Sequence, residues 1–282
     1  MGVATGLYPV ACPTIMVFAR HYEGSDVGEH VIEDAVWQRM VAALETVPHM
    51  RMHDLDGLRR FVAACFLVMR SNLTWAELGS VVSSADAAKR RFRRWAKWGV
   101  FDRLLECSQP AAEPDVLHID STSIKCHRTA TGARGGAPES IGRSRGGLTT
   151  KVHHAVDGLG FIRRVLTSPG QQADCRHAVA LTEGLQPLAV VGDKGYDADG
   201  LREHWRARGI SACVPPKRNR IVQHWYDTGL YRTRHIVENS FNRLKDFRRL
   251  SLRLDKTDTS FRAFACFAAA LLNWKLLAKL CP

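Results

Sequence analysis

Val116-Leu117-His118-Ile119-Asp120-Ser121-Thr122-Ser123-Ile124 is the stretch in which the chain changes from a helical to an extended pattern. It alternates and is rich in β-formers, which is the two-residue period of a strand. Downstream, Thr149-Thr-Lys-Val-His-His-Ala-Val156 and Phe161-Ile-Arg-Arg-Val-Leu-Thr167 flank Asp157-Gly158, a dipeptide suited to a hairpin turn. A helix over about 176–185, a short buried strand over 188–192, a helix over about 199–208 and a strand over 212–215 come next. Two helices, over about 233–250 and 260–280, close the chain. Strand, hairpin, then alternating helix and strand predicts an α/β domain with a mixed sheet.

Upstream of Val116 the apolar residues recur at helical spacing: Val36, Met40 and Leu44, then Leu58, Phe61, Val62, Cys65 and Met69, then Phe92 and Trp95. Thr74 and Glu77 stand in N-cap and N3 relation at the start of the third of these helices. The fourth carries Lys89, Arg90, Arg91, Arg93, Arg94 and Lys97. This predicts a small helix-turn-helix-like domain with a cationic face, where Arg91 and Arg94 would meet DNA; the plainer alternative is a solvated basic helix with Phe92 and Trp95 in the core. Residues 1–30, with Pro9, Pro13 and several glycines, have no steady period and read as a poorly ordered extension.

Composition narrows the function. The 282 residues are 45% hydrophobic, enough for a sizeable core, yet the net charge is +12 and the pI about 9.6. Such an excess suits a polyanionic partner, and nucleic acid is favoured over a membrane surface because the basic residues do not flank an apolar span. The stretch from Phe261 to Leu280 is interrupted by Arg262, Asn273, Lys275 and Lys279, so it reads as a core helix. The eight cysteines form no C-x-x-C pair, and no basic region opens the chain, so buried free thiols in a reducing cytoplasm are expected.

Two acids follow buried strands: Asp120 after Val116-Leu-His-Ile, and Asp193 after Leu188-Ala-Val-Val-Gly192. Rigidly held, partly dehydrated carboxylates are what a divalent cation requires. Tyr231, Arg234, Glu238 and Lys245 are separated by 3, 4 and 7 residues, which puts all four on one face of a helix beside the apolar stripe of Val237, Phe241 and Leu244. Three converging carboxylates repel one another unless cations neutralise them. The chemistry that wants them is a pair of Mg2+ ions roughly 3.5–4 Å apart serving an in-line displacement at phosphorus, with Mn2+ as a substitute. Arg234 and Lys245 would hold phosphates and Tyr231 would cap one; helix packing and solvation is the alternative for all three. Trp225, in a polar stretch, would stack on an unpaired base, or anchor its loop in the core. His118, His127, His153 and His154 read as sheet histidines before ligands.

Other readings remain open from these residues alone. A haloacid-dehalogenase-like phosphohydrolase would use Asp120 as nucleophile and Gly192-Asp-Lys-Gly-Tyr-Asp197 as its acidic motif, but it needs a second Asp two residues after the nucleophile, where this chain has Thr122. A DNA-binding protein without catalysis would not need all three acids.

The segments His118-Ile-Asp-Ser-Thr122, Ile141-Gly-Arg-Ser-Arg-Gly-Gly-Leu-Thr-Thr-Lys151, Ser168-Pro-Gly-Gln171, Gly192-Asp-Lys-Gly-Tyr-Asp-Ala198, Pro215-Pro-Lys-Arg-Asn-Arg220 and Tyr231 to Lys245 resemble the DDE transposases of bacterial insertion sequences, in particular the insertion sequence five family. The last matches that family's Y-(2)-R-(3)-E-(6)-K signature at every fixed position, and the similarity runs from about Trp37 onward. The resemblance implies an RNase H-like catalytic domain over 115–282, preceded by a helical DNA-binding domain over 31–108. It implies Asp120, Asp193 and Glu238 as the catalytic, metal-binding acids. The expected function is metal-dependent DNA strand cleavage and strand transfer of an insertion element. Double-stranded DNA would be the partner and a homo-oligomer the state assembled on it, in a bacterial cytoplasm.

Overall fold

The computed structural model describes residues 31–79, 81–131 and 140–280; the extension read at 1–30 and residues 132–139 lie outside the described residues. Short polar residues start the early helices. Helices α1 (Asp34–Glu45), α2 (Leu55–Ser71), α3 (Ala85–Lys97) and α4 (Val100–Cys107) follow one another. Asp54 accepts the Gly57 amide at 2.8 Å to cap α2, and Ser84 accepts that of Ala87 at 3.3 Å to cap α3. Thr74 and Glu77 form the expected capping box, but the element it opens is a single 3-10 turn, Trp75–Leu78, in place of a full helix. Gly79 and the β-branched pair Val81-Val82 follow at once and do not favour propagation.

The second half builds a seven-stranded mixed sheet. Its strands are β1 (Val116–Cys126), β2 (Gly142–Ser144), β3 (Gly147–Asp157), β4 (Ile162–Pro169), β5 (Ala189–Val191), β6 (Ser211–Cys213) and β7 (Leu252–Arg253). β1 runs antiparallel to β3 and parallel to β5, and β5 runs parallel to β6. β4 and β2 both pair with β3. The hairpin expected at Asp157-Gly158 joins β3 and β4, with the Asp157 carboxylate accepting the amides of Leu159 and Phe161 at 3.0 and 2.9 Å and Gly160 supplying a left-handed residue, φ 93. Helices α5 (Ala178–Thr182), α6 (Asp199–Ala207), α7 (Thr228–Tyr231), α8 (His235–Lys245), α9 (Arg248–Ser251) and α10 (Asp258–Leu280) complete the described chain.

The strand period sorts the sheet into two faces. Leu117, Ile119, Ala155 and Val190 point to a cluster with Leu181, Tyr196, Leu201 and Trp205. Val152, Val156 and Val165 point to the larger cluster, which holds Val237, Phe241 and Leu244 of α8 together with α10 and all four N-terminal helices. Phe92 of α3 stacks on Phe264 of α10 at 4.3 Å between centroids, and Phe101 of α4 meets Phe267 at 5.5 Å. Asn273 of α10 accepts the Ile162 amide at 2.8 Å and donates to the Ile162 carbonyl at 2.9 Å and Ser108 Oγ at 3.1 Å. Helix α10 is long and apolar enough to cross a bilayer by composition alone, yet Phe261, Phe264, Phe267 and Trp274 are buried in this shared core.

Candidate active site at the opening between two parallel strands

The parallel register of β1 and β5 ends at His118 opposite Val191. Asp120 lies two residues past that pair on one strand and Asp193 two residues past it on the other. Neighbouring strands run about 4.8 Å apart, so the two acids emerge side by side where β5 stops. β1 continues, paired only with β3 until Lys125 meets β7. Asp120 therefore opens onto a gap in the sheet. Its Oδ1 accepts the Ser121 amide at 2.7 Å. Asp193 caps the 3-10 turn Lys194–Tyr196, its Oδ1 accepting the Gly195 amide at 2.7 Å. Gly192 between strand and acid is needed small: a Cβ there would meet the Tyr196 ring at 3.0 Å and Ile119 at 3.3 Å.

Helix α8 brings the third acid. Two strand histidines hold this region: His154 Nδ1 bonds Ser240 Oγ of α8 at 2.9 Å with its ring stacked on Phe241 at 4.5 Å, and His118 Nε2 bonds Thr233 Oγ1 of the 3-10 turn just before α8 at 2.7 Å. Burial pushes both imidazoles down, His154 to about 3, so they sit neutral and serve as packing and hydrogen-bonding groups. Glu238 is then half exposed above the gap, 48% at its side chain. Arg234 spans the acids, donating through Nη1 to Asp120 Oδ2 at 2.6 Å and through Nη2 to Glu238. Burial works against the guanidinium's charge, but Asp120 and Glu238 more than restore it. Asp120 is pushed up to about 6, chiefly by burial with the charges of Asp193 and Asp174 adding, against the Ser121 amide and Arg234.

The expected helix face is broken at its start. Tyr231 ends α7 and residues 232–234 form a 3-10 turn, so Tyr231 reaches the group by packing under Arg234, whose guanidinium carbon lies 6.0 Å from its ring centre. Burial raises the Tyr231 phenol's pKa. Lys245 is exposed at the far end of α8. Trp225 stands 84% exposed beside an open cleft lined by Gly200, Arg202 and Ala212. Arg91 is not a free surface cation: it lies over Phe61 at 4.8 Å and Trp95 at 5.4 Å, and burial lowers its pKa. Arg94 is exposed over Trp98 at 5.4 Å. Among the described residues no three His, Cys, Asp or Glu side chains already form a ready-made metal cage; the Arg234 guanidinium occupies the space between Asp120 and Glu238.

The contacts of three residues went unread in the sequence. Asp174 stands near Asp120, with Oδ1 accepting from Ser121 Oγ at 2.8 Å and Lys151 Nζ at 2.9 Å. Asp197, last acid of the Gly192–Asp197 motif, is buried and takes Arg202 at 2.8 Å, Arg220 at 2.7 Å and the Lys217 amide at 2.8 Å. Burial alone would raise its pKa, and these donors outweigh it. Its carboxylate is a structural anchor for the loop after β6, which leaves it no part as the acidic motif of a dehalogenase-like enzyme. The double contact of Arg234 is the third, and its i, i+4 spacing to Glu238 was the available signal.

A family model described as transposase DDE domain matches residues 111–274, and one described as transposase of the IS4/5 family matches residues 32–105. The chain is 39% identical over 130 residues to the protein assigned as transposase of insertion sequence element IS6501 in Brucella ovis, which covers 44% of this chain and 98% of that one. It is 32% identical over 103 residues to the transposase for insertion sequence element IS1106 of Neisseria meningitidis serogroup B, covering 34% of this chain and 36% of that one. The piggyBac transposase, solved in a synaptic complex with hairpin DNA, matches with a TM-score of 0.39 and 11% identity over 70% of this chain, which spans about half (51%) of that protein.

Proposed function

Since this chain belongs to the DDE-domain transposases of bacterial insertion sequences, we propose that it cuts DNA at the ends of such an element and joins them to a target. Asp120, Asp193 and Glu238 are its metal-binding catalytic acids. The observation that supports this reading is the register of β1 and β5, which ends two residues short of both Asp120 and Asp193, with Arg234 linking Asp120 to Glu238 of α8. The strand order supports an RNase H-like sheet: a hairpin antiparallel to β1 on one side, β5 and β6 parallel to it on the other.

The donor set fits Mg2+. It is all carboxylate oxygen, and a cationic group already bridges two of the three acids, with Arg234 standing in for the charge that belongs there. When bound, such ions stabilise the attacking and leaving oxygens of a displacement at phosphorus. The chain supplies the rest. Arg234, once released from the carboxylates, grips a phosphate through two parallel N–H groups, and Lys245 serves as a point charge further along α8. Tyr231 holds the guanidinium in place from beneath. Water attacks the phosphorus and the bond from phosphorus to the 3′-oxygen breaks, leaving a 5′-phosphate; the attacking water gives up a proton to solvent, and the departing oxygen takes one from solvent to become a 3′-hydroxyl at the element end. In the joining step that hydroxyl attacks a target phosphodiester and displaces a second 3′-hydroxyl, so the number of ester bonds is conserved. Trp225 stacks on a base left unpaired near the cut.

The region 31–108 is the DNA-binding part, helix-turn-helix-like with one arm reduced to a 3-10 turn, and α3 offers the exposed cations Arg90, Arg93, Arg94 and Lys97. The protein works in the bacterial cytoplasm and assembles as a homo-oligomer on double-stranded DNA. The test is incubation of the protein with Mg2+ and labelled DNA carrying the parent element's ends. Nicking that leaves a 3′-hydroxyl is expected, abolished by chelation and in Asp193→Asn. Cleavage by Asp193→Asn at the wild-type rate would overturn the assignment.

A further inference from the structure

Tyr196 lies wholly inside the protein, its ring close against Gly192 in the cluster that holds Ile119, and its hydroxyl has no hydrogen-bond partner among the described residues. A buried tyrosine normally finds an acceptor, and an unsatisfied hydroxyl costs stability that phenylalanine in the same place would not. Burial first, then the charges of Asp174, Asp120 and Asp193, push this phenol's pKa up, so it is a permanent donor. It lies three residues after Asp193, in the turn that Asp193 caps, and hydrogen-bonds none of these carboxylates. Water is the molecule that closes such a gap between polar groups.

The acid whose charge weighs most on the phenol is Asp174, the first residue of the 3-10 turn Asp174–His177. That turn packs against the one carrying Tyr196. The hydrogen bonds on Asp174 all fall on Oδ1, from Ser121 Oγ and Lys151 Nζ. Ser121 in turn holds Asp120 through its amide. Asp174 is therefore tied to the strand that bears the first acid, in a turn packed against the one that carries Tyr196.

We propose that Tyr196 donates a hydrogen bond to a water in the hydration sphere of the divalent cation held by Asp120 and Asp193, and that Asp174 accepts from the same water. The proposal rests on the reading of those acids as cation ligands. Mg2+ sites keep several waters, and groups that orient a metal's ligands from outside typically change its affinity 10- to 100-fold.

The test uses the full chain with Mn2+ as probe, titrated by electron paramagnetic resonance, and thermal melting in the absence of metal. Tyr196→Phe should melt at or above the wild-type temperature without metal, because an unpaired buried hydroxyl is gone, yet bind Mn2+ about tenfold more weakly. A merely structural tyrosine would move neither quantity in that combination. Asp174→Asn should weaken Mn2+ binding in the same direction. Wild-type Mn2+ affinity in either variant, or a loss in Tyr196→Phe that only accompanies a lower melting temperature, overturns the proposal. Asp120→Asn separates the two levels: if it leaves Mn2+ affinity intact, the cation-ligand reading itself falls; if it abolishes binding while Tyr196→Phe does nothing, only the role of Tyr196 falls.

Discussion

Replacing Asp120 with Asn should make the metal-free protein more stable at neutral pH. The folded state raises this carboxyl from its ordinary 3.8 to about 6, mainly through burial. At about 1.4 kcal/mol per pH unit of displacement, keeping it ionised in the fold costs about 3 kcal/mol. The sign follows from proton binding. Between the two values the folded state holds the proton and the unfolded state has released it, so stability contributed by this group is full below pH 3.8 and is lost as pH rises through about 6. Asparagine keeps the acceptor for the Ser121 amide and carries no charge, so it escapes the cost. Urea or thermal melts in chelator should show the two proteins alike near pH 4 and diverging to about 3 kcal/mol above pH 7, which is roughly 5–10 °C in Tm for a chain of this size. Added Mn2+ should reverse the order, stabilising the wild type in proportion to ln(1 + [Mn2+]/Kd) and the variant hardly at all. A variant less stable than wild type at pH 7.5 in chelator, or a difference that ignores pH, would refute the reasoning.

Glu238→Gln should abolish both cleavage and joining while DNA binding, measured by gel shift, stays near wild type, and denaturing gels should show no protein–DNA adduct at any stage. Arg94→Ala should lower the slope of log affinity against log salt by about one, as expected when one phosphate is no longer neutralised; an unchanged slope means a solvated face. Trp225→Ala should leave Tm unchanged, since the indole is 84% exposed, but weaken processing of element ends by about 1–3 kcal/mol through the missing base stacking. Asn273→Leu strands the buried Ile162 amide and carbonyl and should cost about 2–4 kcal/mol in urea unfolding.

Much of the fold was legible because its signals are local. The alternation at Val116–Ile124, the Asp157-Gly158 turn and the periodic helices each need only a dozen residues to declare themselves. The three acids could be singled out from their places at strand ends and on a helix. What stayed hidden were relations between distant segments. Nothing in sequence spacing couples Arg234 to Asp120, 114 residues away, or brings Asp174 to Ser121. His118 looked like an ordinary sheet histidine and is one, yet its bond to Thr233 helps set where Glu238 stands. Arg91 illustrates the opposite error of emphasis: a cationic run suggests a wet surface, but aromatic neighbours on its own helix and on α2 draw its guanidinium onto the core.

The aromatic contacts that join Phe92 and Phe101 to Phe264 and Phe267 tie two helices of the amino-terminal region to α10, more than 150 residues later in the chain. The stretch 258–280 must be made before Phe92 and Phe101 can bury their apolar faces. An element copy interrupted by a stop codon ahead of residue 258 would yield an amino-terminal fragment with those faces open, a target for proteolysis.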